Sequence, residues 1–333
     1  MTDKKPDLTF KELVRRRPAM YLGNDGVIGL IRGLILDCIN ICKTDCILFS
    51  FSILEENKYS LELSSEKSLS SYLHCFKEQP DEPRRFHPSI LVAISKDLEI
   101  VTNNDSKTGK DEIQIILNFG LDKTIPINTT IDFLKLLESG LIIGLLNRQS
   151  EILIKDFRHK FLQQNYFHFP QGIFYLFEQA KEKALRKPEF EVTYDGKINE
   201  NNFQIALCYR GDWYPSPSIM SFADNIHTIG GGSLVDGIIE GLIVACEKYV
   251  ADNNLSTYEL TDKKISNGLI LVCSVSGGDY NFGGSFKEFL TDENIKTQAK
   301  EITCKAVEEF IMNNKEKAET FLWRFDKARI GFP

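Results

Sequence analysis

The pattern of apolar and polar positions along the chain alternates between helical and strand-like periods and falls into two stretches. Residues 28–43 are apolar almost all round, with Asp37 as the single carboxylate, which predicts a buried helix. Residues 46–54, 59–63 and 90–101 are rich in β-formers bounded by polar turns and read as strands. Residues 77–88 collect Pro, Glu, Asp and Arg and read as a solvent loop. A helical period returns over 131–147, with Gly140 and Gly144 inside it, followed by a strand hairpin over 151–169 and a helix over 173–186 that Pro188 stops. A second unit starts between residues 189 and 203. Its predicted order is a strand at 203–209, a strand at 218–225, a glycine cluster at 230–232, a helix at 234–253, a strand at 269–276 and a helix at 292–317. This mixture predicts an α+β protein of two domains, 1–188 and 189–333. The length of 333 residues agrees, being more than one ordinary core accommodates.

Composition narrows the function classes. A hydrophobic content of 42% with 26% charged residues excludes a disordered or fibrous chain. The formal charge of -7 makes attraction to phosphate backbones weak for the chain as a whole. Any DNA contact would be a local patch, and Arg15 to Arg17 and Arg84–Arg85 are the basic clusters available. The first twelve residues show no secretory pattern and no uncharged run reaches bilayer length, so a cytoplasmic location without a membrane partner is expected. Eight cysteines without paired short spacings fit reduced thiols. Cys38, Cys42 and Cys46 repeat every four residues. No His or carboxylate at ligand spacing joins them, which favours a packed stripe over a metal face.

Three segments carry a resemblance to one family. Val14-Arg15-Arg16-Arg17-Pro18-Ala19-Met20-Tyr21-Leu22-Gly23 is similar to the string that opens the B subunits of DNA gyrase and topoisomerase IV. Ser221 to Thr228, followed by Gly231-Gly232-Ser233 and Gly237, resembles the family's transducer signature. Glu259 to Asp262, then Val272 to Val275 and Phe282 to Leu290, resembles the block that carries the family's switch lysine. The resemblance implies a Bergerat-type (histidine kinase-like) ATPase domain, an α/β sandwich, followed by a transducer of ribosomal protein S5-like fold.

It also implies where catalysis should sit. Hydrolysis needs a base for water, an oxygen ligand for Mg²⁺, a carboxylate for the adenine and backbone donors for the phosphates. Aligned from Gly29, the family's base position is occupied by Leu36, which cannot take a proton, while Asn40 keeps the position of the Mg²⁺ ligand. An asparagine that closes a hydrogen-bond network reads equally well there. Asp37 is the nearest substitute, but one residue along a helix rotates it by about 100°. The adenine loop is placed at 101–107, with Asn103 in place of the family's aspartate; a rival register at Ser64-Ser65-Glu66 is no better preserved. Of the phosphate-lid glycines only Gly140 and Gly144 remain. Lys287 stands where the resemblance places the γ-phosphate lysine, although an exposed lysine is ordinarily just solvated. His227, within the transducer motif, reads as a turn or packing residue.

These losses predict a catalytically silent binding or regulatory paralogue without a resident cofactor. It would lack the DNA-cleavage module, since the sequence stops at Pro333 before any acidic metal-binding segment. Its expected partners are a second copy or a topoisomerase-like protein. The alternative is an atypical ATP-binding module of a topoisomerase-like DNA-handling complex, holding Mg-ATP through Asn40, Asn103, Gly140, Gly144 and Lys287, with Asn40 as the metal ligand.

Overall fold

The structure, a computed structural model, describes residues 9–22, 25–42, 47–77, 87–105, 109–120, 131–183, 190–210, 216–224, 226–255, 258–284 and 287–326. The chain folds as two compact units, Met1–Gly172 and Ile173–Pro333.

The first unit opens with α1 (Phe10–Arg16), started by a capping box in which the Thr9 hydroxyl accepts the Glu12 N–H and the Glu12 carboxylate accepts the Thr9 N–H. Next come α2 (Pro18–Leu22) and α3 (Gly26–Cys42), the latter buried along Leu30, Leu34 and Cys38, as its apolar sequence requires. The antiparallel hairpin β1 (Ile47–Glu55) and β2 (Lys58–Ser65) leads into α4 (Ser70–Cys75) and α5 (Pro88–Ile94). A second hairpin, β3 (Asp97–Asp105) and β4 (Lys110–Asn118), precedes α6 (Phe133–Leu146), β5 (Glu151–Asp156) and β6 (Gln163–Phe167). These strands form one sheet in the order β3-β4-β2-β1-β5-β6. Its one parallel pair is β1 with β5, Leu48 opposite Glu151 through Ile53 opposite Asp156. Phe49, Phe51, Leu61, Leu63, Ile113 and Ile115 share a buried core with α3, while Glu62, Glu112 and Gln114 alternate onto the opposite face.

The strand expected over 90–101 is instead a helix, α5, followed by β3. Its five-residue apolar run is too short for periodicity to separate the two states. The local start signal decides: Pro88 sits at the first helical position and the His87 ring accepts the Ser89 N–H at 3.2 Å. The loop expected over 77–88 lies mostly outside the described residues.

The second unit contains α7 (Phe174–Glu182), β7 (Glu191–Ile198), β8 (Asn201–Tyr209), β9 (Ser218–Ala223), β10 (Ile226–His227), α8 (Ser233–Asp252), α9 (Asp262–Ser266), β11 (Leu269–Ser276), the short pair β12 (Phe282–Gly283) and β13 (Phe289–Leu290), α10 (Glu293–Asn313) and α11 (Lys315–Leu322). Its five-stranded sheet runs β10-β9-β11-β8-β7, with β9 and β11 parallel and joined through α8. Phe203, Ile205, Leu207, Leu271 and Cys273 face the core shared with α8 and α10. The alternate residues Ala206, Cys208, Ile270 and Val272 are also buried, and α7 packs on β8 and β11. The helix at 174–182 thus stands in the second unit, whereas the sequence pattern places it before a boundary at 188. The single helix expected over 292–317 breaks at Asn314, which separates α10 from α11.

Candidate functional site

The sequence places four candidate residues on two helices of the first unit. On α3, Leu36 is half-buried and packs against the apolar core, and Asn40, one turn further on, is exposed. The half-buried Asp37 belongs to another flank of the helix. Beside that flank stands Tyr72 of α4, fully buried, whose hydroxyl donates to the Leu34 carbonyl at 3.1 Å and whose ring meets Phe76 edge-on at 5.3 Å. Burial, with the nearby Cys38, Asp37, Cys42 and Cys75, pushes the Tyr72 phenol well above its ordinary range. No motif or spacing marks Tyr72 as part of this region. Its helix follows directly on the end of β2, where Ser65 is buried and its hydroxyl accepts the Lys67 N–H at 3.1 Å. The Asp111 carboxylate accepts the Leu69 N–H at 2.9 Å just before α4 begins.

Asn103 lies elsewhere. Ser64, Glu112 and Asn103 occupy one rung across β2, β4 and β3, with Asn103 on the outermost strand. Its exposed side chain points to the face opposite the apolar core and donates to Glu112 at 3.3 Å. The structure therefore puts Asn103 on an outer strand and Asn40 on α3, while the rival register, Ser64-Ser65-Glu66, spans the end of β2 just before α4 begins.

Gly140 and Gly144 sit inside α6 and not in a phosphate-binding loop. A Cβ on Gly140 would meet Ile154 Cδ1 at 2.7 Å and Phe167 at 3.3 Å, and one on Gly144 would meet Phe169 at 3.1 Å. These glycines let α6 lie close on β5 and on the aromatic pair that follows it. Their backbone donors are inside a helix rather than free for an anion.

In the second unit, Lys287 is exposed in the turn between β12 and β13 with φ of 60°, and its ammonium stands 4.9 Å above the Phe282 ring. The glycine cluster docks on this turn: Gly230 N–H donates to the Glu288 carbonyl at 2.8 Å and Leu290 N–H to Gly231 at 3.1 Å. Gly232 has φ of 90°, and a Cβ there would drive into the Leu290 backbone, so glycine is required. His227 is exposed and stacks on Phe222 at 5.0 Å, in keeping with a packing role.

Nearby, Asp224 accepts the Gly277 N–H at 3.1 Å and caps the end of β11. Desolvation raises its carboxyl from 3.8 to about 6, helped by Asp279 and opposed by the Gly277 bond and Lys287. A raised carboxyl contributes stability that is full below pH 3.8 and is lost as pH rises through about 6. Asp224→Asn keeps the acceptor and tolerates the positive φ of 41°. It should therefore gain about 2 kcal/mol at pH 8 and nothing at pH 3.5, read from urea midpoints.

Among the described residues no group of three or more His, Cys, Asp or Glu could hold a metal ion. No helix among them is long and apolar enough to cross a membrane. The described cysteines are free thiols; of the stripe expected in the sequence, Cys38 is buried in the core, Cys42 is half-buried against it, and Cys46 lies outside the described residues. Arg15, within the opening string, donates to the Ala93 carbonyl at 2.7 Å at the end of α5, which makes that part of the string an internal anchor.

The model of the DNA gyrase B family matches residues 173–329. The DNA gyrase B protein of Streptococcus pneumoniae is 30% identical over 245 residues, 72% of this chain and 37% of that protein. The chain belongs to the DNA gyrase B and topoisomerase IV B family. The gyrase B protein of Archaeoglobus fulgidus is 31% identical over 187 residues, 55% of this chain and 28% of that protein. The chain thus spans little more than a third of the length of the S. pneumoniae relative. Among solved structures, the topoisomerase IV ATP-binding domain of Francisella tularensis superimposes with a TM-score of 0.77 at 16% identity, covering 96% of this chain and 98% of that one. The gyrase B structure from Myxococcus xanthus gives 0.71 at 17% identity, covering 95% and 99%. The fold is therefore that of a gyrase B-like ATPase region, with a Bergerat-type first unit. Within it Asn40, Gly140 and Gly144 lie on helices of the first unit, Asn103 on an outer strand, and Lys287 on a turn of the second unit.

Proposed function

We propose that this gyrase B-like chain is a catalytically silent binding or regulatory paralogue that keeps the two-domain architecture, Bergerat-type ATPase followed by S5-like transducer, without autonomous ATP turnover. Leu36 carries the reading: the resemblance puts the family's general base at this position, and the side chain there is a hydrocarbon, half-buried against the core of the first unit. General base catalysis contributes on the order of 10²- to 10⁴-fold, and leucine supplies none of it. Gly140 and Gly144, the only glycines that the resemblance left for a phosphate lid, instead pack α6 on β5, which supports the same reading. So does Tyr72, which fills the flank of α3 beside the end of β2. These residues do not fit Mg-ATP hydrolysis. The role of the chain then lies in association with a second copy, a topoisomerase-like protein or DNA through surfaces other than the ATP site.

Isothermal titration of the chain with ATP and Mg²⁺, run beside a steady-state phosphate-release assay, tests this. We expect no saturable heat at millimolar ATP and no release above background. Affinity tighter than millimolar would favour the atypical ATP-binding module instead, and release abolished by Lys287→Ala would sink the silent reading outright.

A further inference from the structure

The second unit has a groove that no part of the nucleotide chemistry uses. About 480 Å³ in volume, it runs between β7 and one stripe of α10. Strand β7 ends its sheet, and among the described residues no strand pairs with its outer side. Four consecutive residues, Glu191 to Tyr194, line the groove, so it follows the strand's backbone edge and not merely one of its faces. On the helix side the floor is apolar, built from Ile302, Ala306 and Phe310. Next to each floor residue stands an exposed charge: Glu301, Lys305 and Glu309.

These three charges differ from others on the same helix. Lys296 and Lys300 pair with Glu240, and Glu308 pairs with Lys248, all against α8. Among the described residues, Glu301, Lys305 and Glu309 form no ion pair. Their spacing is informative. Four residues of helix rise about 6 Å, and two residues of strand advance about 6.7 Å. An extended chain laid along β7 would turn every second side chain toward α10, nearly in step with the sequence Glu301, Lys305, Glu309.

We propose that this groove binds an extended peptide segment by adding a strand to β7, and that it selects a basic-x-acidic-x-basic pattern. The main-chain bonds come from the open edge of β7. Two Arg or Lys side chains of the ligand lay their aliphatic stems on Ile302 and Phe310 and place their cations at Glu301 and Glu309. The acidic residue between them meets Lys305. Besides Glu191, which pairs with Lys181, the helix side of the rim carries two carboxylates to one ammonium, which disfavours an acidic peptide. Peptide binding here does not depend on whether the first unit holds ATP.

The test is fluorescence anisotropy with two labelled heptapeptides in the intact chain. One carries Arg at positions two and six and Glu at four on a threonine background; the other has those charges reversed. We expect the first to bind at micromolar concentrations and about tenfold or more tighter than the second. The triple variant Glu301→Lys, Lys305→Glu, Glu309→Lys, altering only exposed side chains, should invert that preference while leaving the circular dichroism spectrum unchanged. Absence of binding by the first peptide up to about 1 mM, equal affinity for both peptides, or a triple variant with the parental preference would each overturn the proposal.

Discussion

Valine at Gly241 is expected to lower stability by about 3 kcal/mol or more, seen as a shift of the urea midpoint in helical circular dichroism. The reason is the crossing of α8 and α10. A Cβ on Gly241 would drive into the Lys300 carbonyl oxygen and come within 2.9 Å of Thr303 Cβ; one on Gly237 would meet the Lys296 carbonyl and Ala299 Cβ. The two glycines are one turn apart, so the helices touch backbone to backbone along a small-residue seam, and neither carbonyl can retreat without breaking its own helix. Val244 on the same helix is 38% exposed, and Val244→Ala should stay within about 0.5 kcal/mol. A Gly241→Val variant that unfolds alongside the parent would show that the helices do not approach this closely.

Tyr72→Ala is expected to cost about 3–4 kcal/mol, because a fully buried aromatic ring and its cavity are both at stake. Tyr72→Phe removes only the bond to the Leu34 carbonyl and should cost about 1 kcal/mol. The ratio separates packing from hydrogen bonding, and urea denaturation of both variants reads it. An alanine variant of parental stability would mean that the flank of α3 is open to a ligand, which would remove one support of the silent-ATPase reading.

Much of this architecture is legible in the chain. The all-round apolar run of α3 can only be buried, and the strand expected at 269–276 has the bounds observed for Leu269–Ser276. Strand β7 escapes a reading of the pattern, because Asp195 and Gly196 look like a turn; the turn actually falls after them, at Asn199, where φ is 54°. The position chosen for the adenine loop, at Asn103, falls on an outer strand, and Gly109, with φ of 67°, stands where β3 reverses into β4. That Leu36 carries no ionisable group is legible because it is a matter of chemistry rather than geometry. Tyr72 is not, since nothing local says that a tyrosine in a short polar helix will be driven against another helix.

The neighbouring positions of β1 and β5 have a consequence for how the chain is made. Leu48 pairs with Glu151, so the one parallel seam of the first sheet joins residues about a hundred positions apart. Closing so long a loop costs entropy before any contact returns it, which delays folding. On the ribosome, at roughly 5–20 residues per second, β1 and β2 wait about 5–20 s for their neighbour to emerge. During that interval the nascent sheet presents an open, apolar margin, and a chaperone would find its client there.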